Sequence, residues 1–525
     1  MRDAVCAVDV GTSSARAGIF DRSGRMLARE EHPIELHRTE SGHAEHDSED
    51  IWRAVCKAVR AARAEAGVAA EGVAAVGFDA TCSLVVRGRG GGQLSVSASG
   101  DRRWDTILWL DHRALAEAEE CTATGHPVLD FVGGVMSPEM QTPKLMWLKR
   151  HRPQSWAEAE QFFDLADYLT WRASGSDTRS QCTLTSKWTY LAHDGGWQRD
   201  FFDAVGLGEI PDLAGLARPP AAAGTSLGPL TQEAAAALGL DTGSLVSAGL
   251  VDAFAGALGV IGGYSGDALE RHLALVGGTS SCVMCFSRRR RHVPGIWGPY
   301  YGATLPGYWQ SEGGQSATGG LLDHVIALYG GGRAPDAAMH RRIAGRVREM
   351  RETPAIDMGE SLHVLPDFCG SRSPVADPQA RGVVSGLTMD TSFDGLCRLY
   401  WRTAVAVALG VRSILEHLDQ NGISIDVLHV TGGHTRNPLL MELYADATGC
   451  TVSETTAADA VLLGTAMAAA ATAGWFAGLA EACRDMQQKE TVRRPNKALR
   501  AAYDRDYRIF LKMQNHRREI RSLLD

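Results

Sequence analysis

The chain has 525 residues, with 53 Lys+Arg against 62 Asp+Glu (net charge −9), 45% hydrophobic and 22% charged residues. Extensive disorder, collagen-like structure and a coiled-coil rod are excluded, and the length exceeds one hydrophobic core, so two or three domains are expected. An acidic balance argues against a nucleic-acid partner, which needs a clustered positive surface, and favours small-molecule chemistry. The apolar run before Val10 is too short for a secretory signal, and the eleven scattered cysteines suit a reducing compartment, so a cytoplasmic protein is expected.

In chain order, Ala4 to Asp9, Ala15 to Phe20 and Arg25 to Glu30 read as three antiparallel strands separated by Gly/Ser/Asp turns. An amphipathic helix follows, with Asp47 or Ser48 as N-cap and Ile51, Trp52, Val55, Val59 and Ala62 on one face. His43 and His46 beside it read as solvated loop residues. Val73 to Phe78 returns as a strand, Arg87 to Asp105 reads as a solvent loop, and Ile107 to Leu110 as a strand before a helix. Ser137 to Asp203, rich in Trp, Met, Phe and Lys, reads as a helical insertion that shapes a pocket.

Ala253 to Gly259 is a small-residue helix, and a linker is expected near Gly262-Gly263. His272 to Val276 and Cys282 to Phe286 then repeat the opening pattern of strand, Gly/Thr/Ser turn and strand, with Cys282 and Cys285 as core thiols. Arg288 to Arg291 reads as an exposed loop. A helix from Phe393 to Gln420, a strand Val427 to Val430, the turn Thr431 to His434, a helix Pro438 to Gly449 and a strand at Thr451-Val452 complete the second half. The uncharged stretch Ala460 to Ala480 is dominated by Ala, Gly and Thr, so it reads as a buried helix and not a membrane span. The basic tail from Arg484 carries Tyr503, Tyr507, Phe510 and Leu511 at helical spacing, as a docking helix would.

The most informative string is Asp9-Val10-Gly11-Thr12-Ser13-Ser14-Ala15-Arg16. Gly11 permits a tight turn, backbone N–H groups and the three hydroxyls can cradle phosphate oxygens, and Asp9 at a strand end can hold magnesium through water. No Gly-Lys-Ser/Thr of a Walker loop occurs. Gly278-Thr279-Ser280 and Gly432-Gly433 add two further glycine turns, and Asp252 opens the small-residue helix, where an N-cap role is the plain alternative.

These motifs, in this order and with Gly464-Thr465-Ala466-Met467-Ala468, resemble the FGGY carbohydrate kinases of the actin-like ATPase superfamily, from Ala4 to about Gly474. The resemblance implies an α/β fold with two actin-like, ribonuclease H-like domains flanking a cleft, 1–262 holding mainly the sugar and 263–525 mainly ATP. It implies Asp252 as general base, Asp9 for Mg2+, and Gly11, Thr12, Ser13, Ser14, Arg16, Gly278, Thr279, Ser280, Gly432, Gly433 and Asn437 for the nucleotide.

The string Gly77 to Ser83 departs from the Asn-Gln-Arg-Glu of glycerol kinases and the Gly-Gln-Met-His of xylulokinases. It is similar to the ribulokinase branch, as is Trp109-Leu110-Asp111-His112-Arg113. By that likeness Asp79, Thr81, Cys82, Lys187, Asp252 and Glu312 would contact the sugar; by base rates alone Lys187 reads as a surface lysine and Glu312 as a cap of the Gly-Gly turn. Lys187 is conspicuous in a chain where only seven of 53 basic residues are Lys. Ser371-Arg372-Ser373-Pro374 looks like the D-ribulokinase group, which usually has Asn at the first position. Phosphorylation of D-ribulose is the reading, with L-ribulose or a broader range of ketoses and polyols as the enzymatic alternative and an actin-like regulatory module as the non-enzymatic one. The partners expected are a sugar and ATP, with no nucleic acid and no membrane, in a homodimer.

Overall fold

The computed structural model describes residues 2–39, 42–329, 335–353 and 356–523. The chain packs as two compact units, Met1–Leu269 with Phe286–Ser311 and Ala457–Lys489, and Glu270–Cys285 with Glu312–Thr456 and Glu490–Asp525.

In the first unit the sheet is built outward from Ala4–Val10 and Val73–Ala80, two parallel strands buried at every position. Continuous apolar runs of this kind form strands covered on both faces. Ser14–Asp21 and Met26–Pro33 extend one side antiparallel, and Leu245–Ser247 and Leu250–Val251 pair parallel with Val73–Ala80 on the other. The helix Ser48–Glu65 packs its buried stripe, Ile51 to Ala62, on this sheet and is capped by Asp47.

Helices Asp252–Ile261 and Ala460–Thr472 meet at glycines. A Cβ on Gly464 would overlap the carbonyl oxygen of Ala255, and one on Gly259 that of Ala460. A Cβ on Gly77 would come 2.9 Å from the carbonyl oxygen of Thr465, so the second helix also lies directly on the strand Val73–Ala80. This close packing explains why Ala457–Lys489 joins the first unit. The packing units thus differ from the division 1–262 and 263–525 at 263–269, Phe286–Ser311 and Ala457–Lys489.

The second unit repeats the topology. His272–Gly277 pairs antiparallel with Ser281–Ser287 and parallel with Val427–Gly432, which pairs parallel with Thr451–Thr455. The 28-residue helix Phe393–Gln420 is buried along most of its length. The C-terminal helix Arg500–Arg521 docks through Tyr503, Asp506, Tyr507 and Phe510, with Asp506 bonded to Arg402 at 2.8 Å. Leu511, expected on the docking face, is 38% exposed.

Several local expectations change. Within 87–105, Leu94, Ser95, Val96 and Ser97 are buried, and Arg87 is enclosed by Glu49, Asp105 and Tyr168. The strand expected to reach Leu110 is only Thr106–Ile107. Within 137–203 the helices Gln141–His151, Leu165–Ser174 and Gln181–Lys187 alternate with the strand Ala159–Asp164 and with irregular segments such as 175–180 and 188–198. Among the described residues no helix is long and apolar enough to cross a membrane.

Candidate active site

Asp9 stands directly opposite Asp79 on the adjacent parallel strand, and Leu250–Val251 pairs with Asp79–Ala80, which delivers Asp252 to the same strand-end edge. The carboxyl ends of parallel strands are where α/β sheets bind ligands. Arg16, opposite Asp9 across the hairpin, forms an ion pair with it and lies 3.7 Å from Asp459. Burial outweighs that pairing and pushes Asp9 up to about 7, with Asp459 and Asp252 adding to the rise. Asp79 is raised well above the carboxylate range, by burial first and by Asp9 second. Its Oδ2 accepts the Thr465 hydroxyl at 2.5 Å. The side chain expected at the sugar is therefore turned to Thr465 and Asp9, because residues in register on parallel strands share a face.

The first glycine turn is closed by Gly11 N–H donating to the Ser14 carbonyl at 3.0 Å. Its hydroxyls are unequally placed. Ser14 donates to Glu31 at 2.6 Å, Thr12 Oγ1 accepts the Trp109 indole N–H at 3.0 Å, and Ser13 is exposed. His46 is buried in the strand Ala44–His46, where its Nε2 donates to the Thr12 carbonyl at 3.0 Å. The expected solvated loop histidine is thus a brace beneath the turn, and Trp109 is a second one.

Asp252 is the first residue of its helix, half-buried, with Oδ1 accepting the Ala253 N–H at 2.7 Å. The N-cap position belongs to Val251. A carboxylate at a helix N-terminus is stabilised in its charged form. Thr81 donates its N–H to the Val10 carbonyl at 3.0 Å, and Cys82 beside it is a buried thiol pushed up to about 12. Lys187 ends the helix Gln181–Lys187, 2% exposed, with its ammonium 4.7 Å from the centre of the Trp297 ring. That is a cation–π geometry in a buried setting, unlike a surface lysine.

In the second unit, the Gly278-Thr279-Ser280 hairpin is held by the N-terminus of helix Gly319–Tyr329. Gly319 N–H donates to the Gly278 carbonyl at 3.0 Å, and Gly320 N–H to the Thr279 carbonyl at 3.1 Å. His434 Nε2 lies 3.0 Å from the Gly278 carbonyl, while its Nδ1 lies 2.8 Å from the Tyr444 hydroxyl. Gly277 has no room for a Cβ, which would overlap His434, and Gly432 adopts φ +82° against the Gly277 carbonyl.

These turns and the helix Ala337–Glu352 enclose a cavity of about 630 Å3. Small residues (Ala344, Gly345, Gly433) line it beside His340 and Asn437. Asn437 Nδ2 donates to the Tyr400 hydroxyl at 2.9 Å, and the same hydroxyl lies 2.8 Å from His340 Nδ1. The cavity has the size of a small-molecule site and is lined by both small apolar and polar residues. Glu312 is buried in the strand Trp309–Gln315, and Ser373 N–H of the Ser-Arg-Ser-Pro string donates to the Gly314 carbonyl two residues on, at 3.2 Å.

Residues 4–259 match the model of the N-terminal domain of the FGGY family of carbohydrate kinases, and residues 273–473 that of its C-terminal domain. The chain belongs to this family. An FGGY carbohydrate kinase domain-containing protein of Danio rerio is 41% identical over 99% of this chain and 98% of its own length. A D-ribulokinase of Saccharomyces cerevisiae is 35% identical over 89% of this chain and 72% of its own. Among solved structures, a xylulose kinase from Rhodospirillum rubrum superposes with a TM-score of 0.80 at 23% identity, covering 98% and 99% of the two chains.

As an FGGY carbohydrate kinase, the protein binds ATP and a sugar and transfers phosphate between them. Magnesium would find hard oxygen donors at the Asp9 edge. Arg16 is ion-paired with Asp9, and the Asp79 carboxyl acts on Asp9 as a hydrogen-bond partner. Among the described residues no three His, Cys, Asp or Glu side chains are arranged to hold a metal directly. Such a site suits Mg2+, which keeps much of its water shell and is bound by one or two carboxylates plus phosphates. Trp109, Thr465 and His434 lie in segments that the sequence marks and His46 in an expected solvent loop, but nothing local predicts their bracing contacts.

Proposed function

We propose that this kinase is a D-ribulokinase that phosphorylates the terminal 5-hydroxyl of the ketopentose. The likeness to the yeast D-ribulokinase supports this, together with the non-glycerol, non-xylulose string at Gly77 to Ser83 and the Ser371 to Pro374 string bonded next to Glu312's strand. Asp252 accepts the proton of the attacking hydroxyl. The oxygen–phosphorus bond forms at the γ-phosphorus, the bond to the β,γ-bridging oxygen breaks, and ADP leaves with that electron pair. Asp252 is suited to this because it is a half-buried carboxylate at a strand-end edge and at the N-terminus of its helix.

Gly11, Thr12, Ser13 and Arg16 are assigned to phosphate contact, as are Gly278, Thr279 and Ser280. Gly432, Gly433 and Asn437 border the nucleoside. Thr81, Cys82, Lys187 and Glu312 contact the sugar. Mg2+, held through Asp9, would neutralise charge on the triphosphate oxygens. Asp79 is reassigned to support of Asp9.

The observation that carries the reading is the delivery of Asp252 beside Asp9 by the strand pairing. The test is a panel of D-ribulose, L-ribulose, D-xylulose, ribitol and glycerol with ADP release coupled to a reporter. D-ribulose is expected to lead in kcat/KM by at least about tenfold. A higher value for L-ribulose, or equal values across the panel, replaces this reading with the L-specific or broad one.

A further inference from the structure

Three buried polar side chains of the first unit converge outside the Asp9 edge. Gln141 opens the helix Gln141–His151, Lys144 lies one turn into it, and Asp164 immediately precedes the helix Leu165–Ser174. All three are fully buried. Gln141 Nε2 donates to the Cys82 carbonyl at 3.1 Å and to Asp164 Oδ2 at 2.9 Å, which ties the group to the segment that follows Asp79. Asp164 occupies an N-cap position yet makes no capping hydrogen bond.

Each member carries a polar atom that no protein group satisfies: Gln141 Oε1, Lys144 Nζ and Asp164 Oδ1. A buried ammonium without an acceptor and a carboxylate oxygen without a donor are costly as structural features. The cost is removed by a ligand with adjacent hydroxyls, one oxygen accepting from the ammonium while a neighbouring hydroxyl donates to the carboxylate. The ammonium groups of Lys144 and Lys187 both act on the Asp164 carboxyl.

We propose that Lys144 and Asp164, oriented by Gln141, bind a vicinal pair of oxygens of the open-chain ketose and set its discrimination among sugars. This rests on the ketose-kinase reading above. Lys144 and Asp164 are sugar-contacting residues under this proposal, and Gln141 is a positioning residue.

The test uses the full chain with Lys144→Met and Asp164→Asn, and measures both sugar binding by calorimetry without nucleotide and steady-state kinetics. Removing a hydrogen bond to a charged group is expected to weaken ketose binding and raise the sugar KM by about 10- to 100-fold, with the ATP KM changed less than about twofold. The D- to L-ribulose ratio is expected to shift as well. Wild-type protein should lose a comparable factor on a deoxy-ketose lacking one of the paired oxygens, and that factor should not add to the loss from Lys144→Met.

Folded variants with unchanged sugar affinity and unchanged ratios overturn the proposal, as does an equal loss toward sugar and ATP. If the variants do not fold, the wild-type panel decides: equal affinity for ribulose and every deoxy-ketose overturns it. Ketose binding without phosphate transfer would sink the kinase reading while leaving this inference standing. Absence of ketose binding sinks the inference itself.

Discussion

Thr465, in the small-residue helix Ala460–Thr472, donates its hydroxyl to Asp79 Oδ2 at 2.5 Å across 386 residues of sequence. The bond joins the end of the first unit's central strand to a helix that arrives from the far end of the chain. It also leaves the carboxyl of Asp79 beside Asp9, where burial and the neighbouring carboxylate hold it well above its ordinary range. Replacing Thr465 by Val keeps the shape and deletes the donor. The unsatisfied carboxyl is expected to lower stability by about 1–3 kcal/mol, read as a fall in the urea midpoint.

Gly464→Ala tests the helix crossing. In an isolated helix this change stabilises by about 1 kcal/mol. Here the new methyl overlaps the Ala255 carbonyl, which is backbone and cannot rotate away. A net destabilisation of about 1–3 kcal/mol is expected in thermal or urea unfolding. A stabilised variant would show that the two helices do not approach as closely as described.

His46 gives a pH dependence. Burial holds its imidazole down at about 4, against 6.5 in an exposed histidine, although the Thr12 carbonyl favours the protonated ring. Above pH 6.5 the ring is neutral in both folded and unfolded chains. As pH falls from about 6.5 to about 4 the unfolded chain takes up a proton that the folded one does not, so stability declines through that window. By about pH 5 the loss is about 2 kcal/mol. His46→Gln retains a donor for Thr12 and should lose about 2 kcal/mol less than wild type between about pH 7 and pH 5. Parallel slopes would remove His46 as the source.

Asp252→Asn keeps the bond from Ala253 N–H and removes the basic oxygen. A fall in kcat of about 10²- to 10⁴-fold is expected, with little change in sugar affinity or in the unfolding midpoint. Wild-type kcat in this variant would mean that another group takes the proton.

Gly432→Ala addresses the nucleotide. Its φ of +82° and its contact with the Gly277 carbonyl leave no relaxed position for a methyl group. The turn must shift, so the ATP KM should rise by at least about tenfold while calorimetric sugar affinity stays within about twofold. A sugar affinity that falls in step with that for ATP would point to general unfolding.

The strands Ala4–Val10 and Val73–Ala80 were legible because a strand covered on both faces needs an unbroken apolar run, and few other segments have one. The glycine turns were legible for a related reason, since their backbone tolerates little else. The loop 87–105 was misread because glycine and serine mark turns equally well over solvent and over a core, as buried Ser95 and Ser97 show. His46 was missed because nothing local distinguishes a histidine whose partner is the carbonyl of Thr12, 34 residues away.

The order of motifs along the chain was enough to indicate the family and its α/β fold, since each motif is a local demand on backbone or chemistry. Tertiary structure alone decided how they are used. It placed Asp79 against Asp9 and Thr465, brought Thr465 and Asp459 to the N-terminal strands, and gathered Gln141 and Lys144 of one helix with Asp164 at a strand end beside Cys82. Those outcomes depend on strand register and on how closely glycine lets two backbones approach, and neither quantity is carried by any single stretch of sequence.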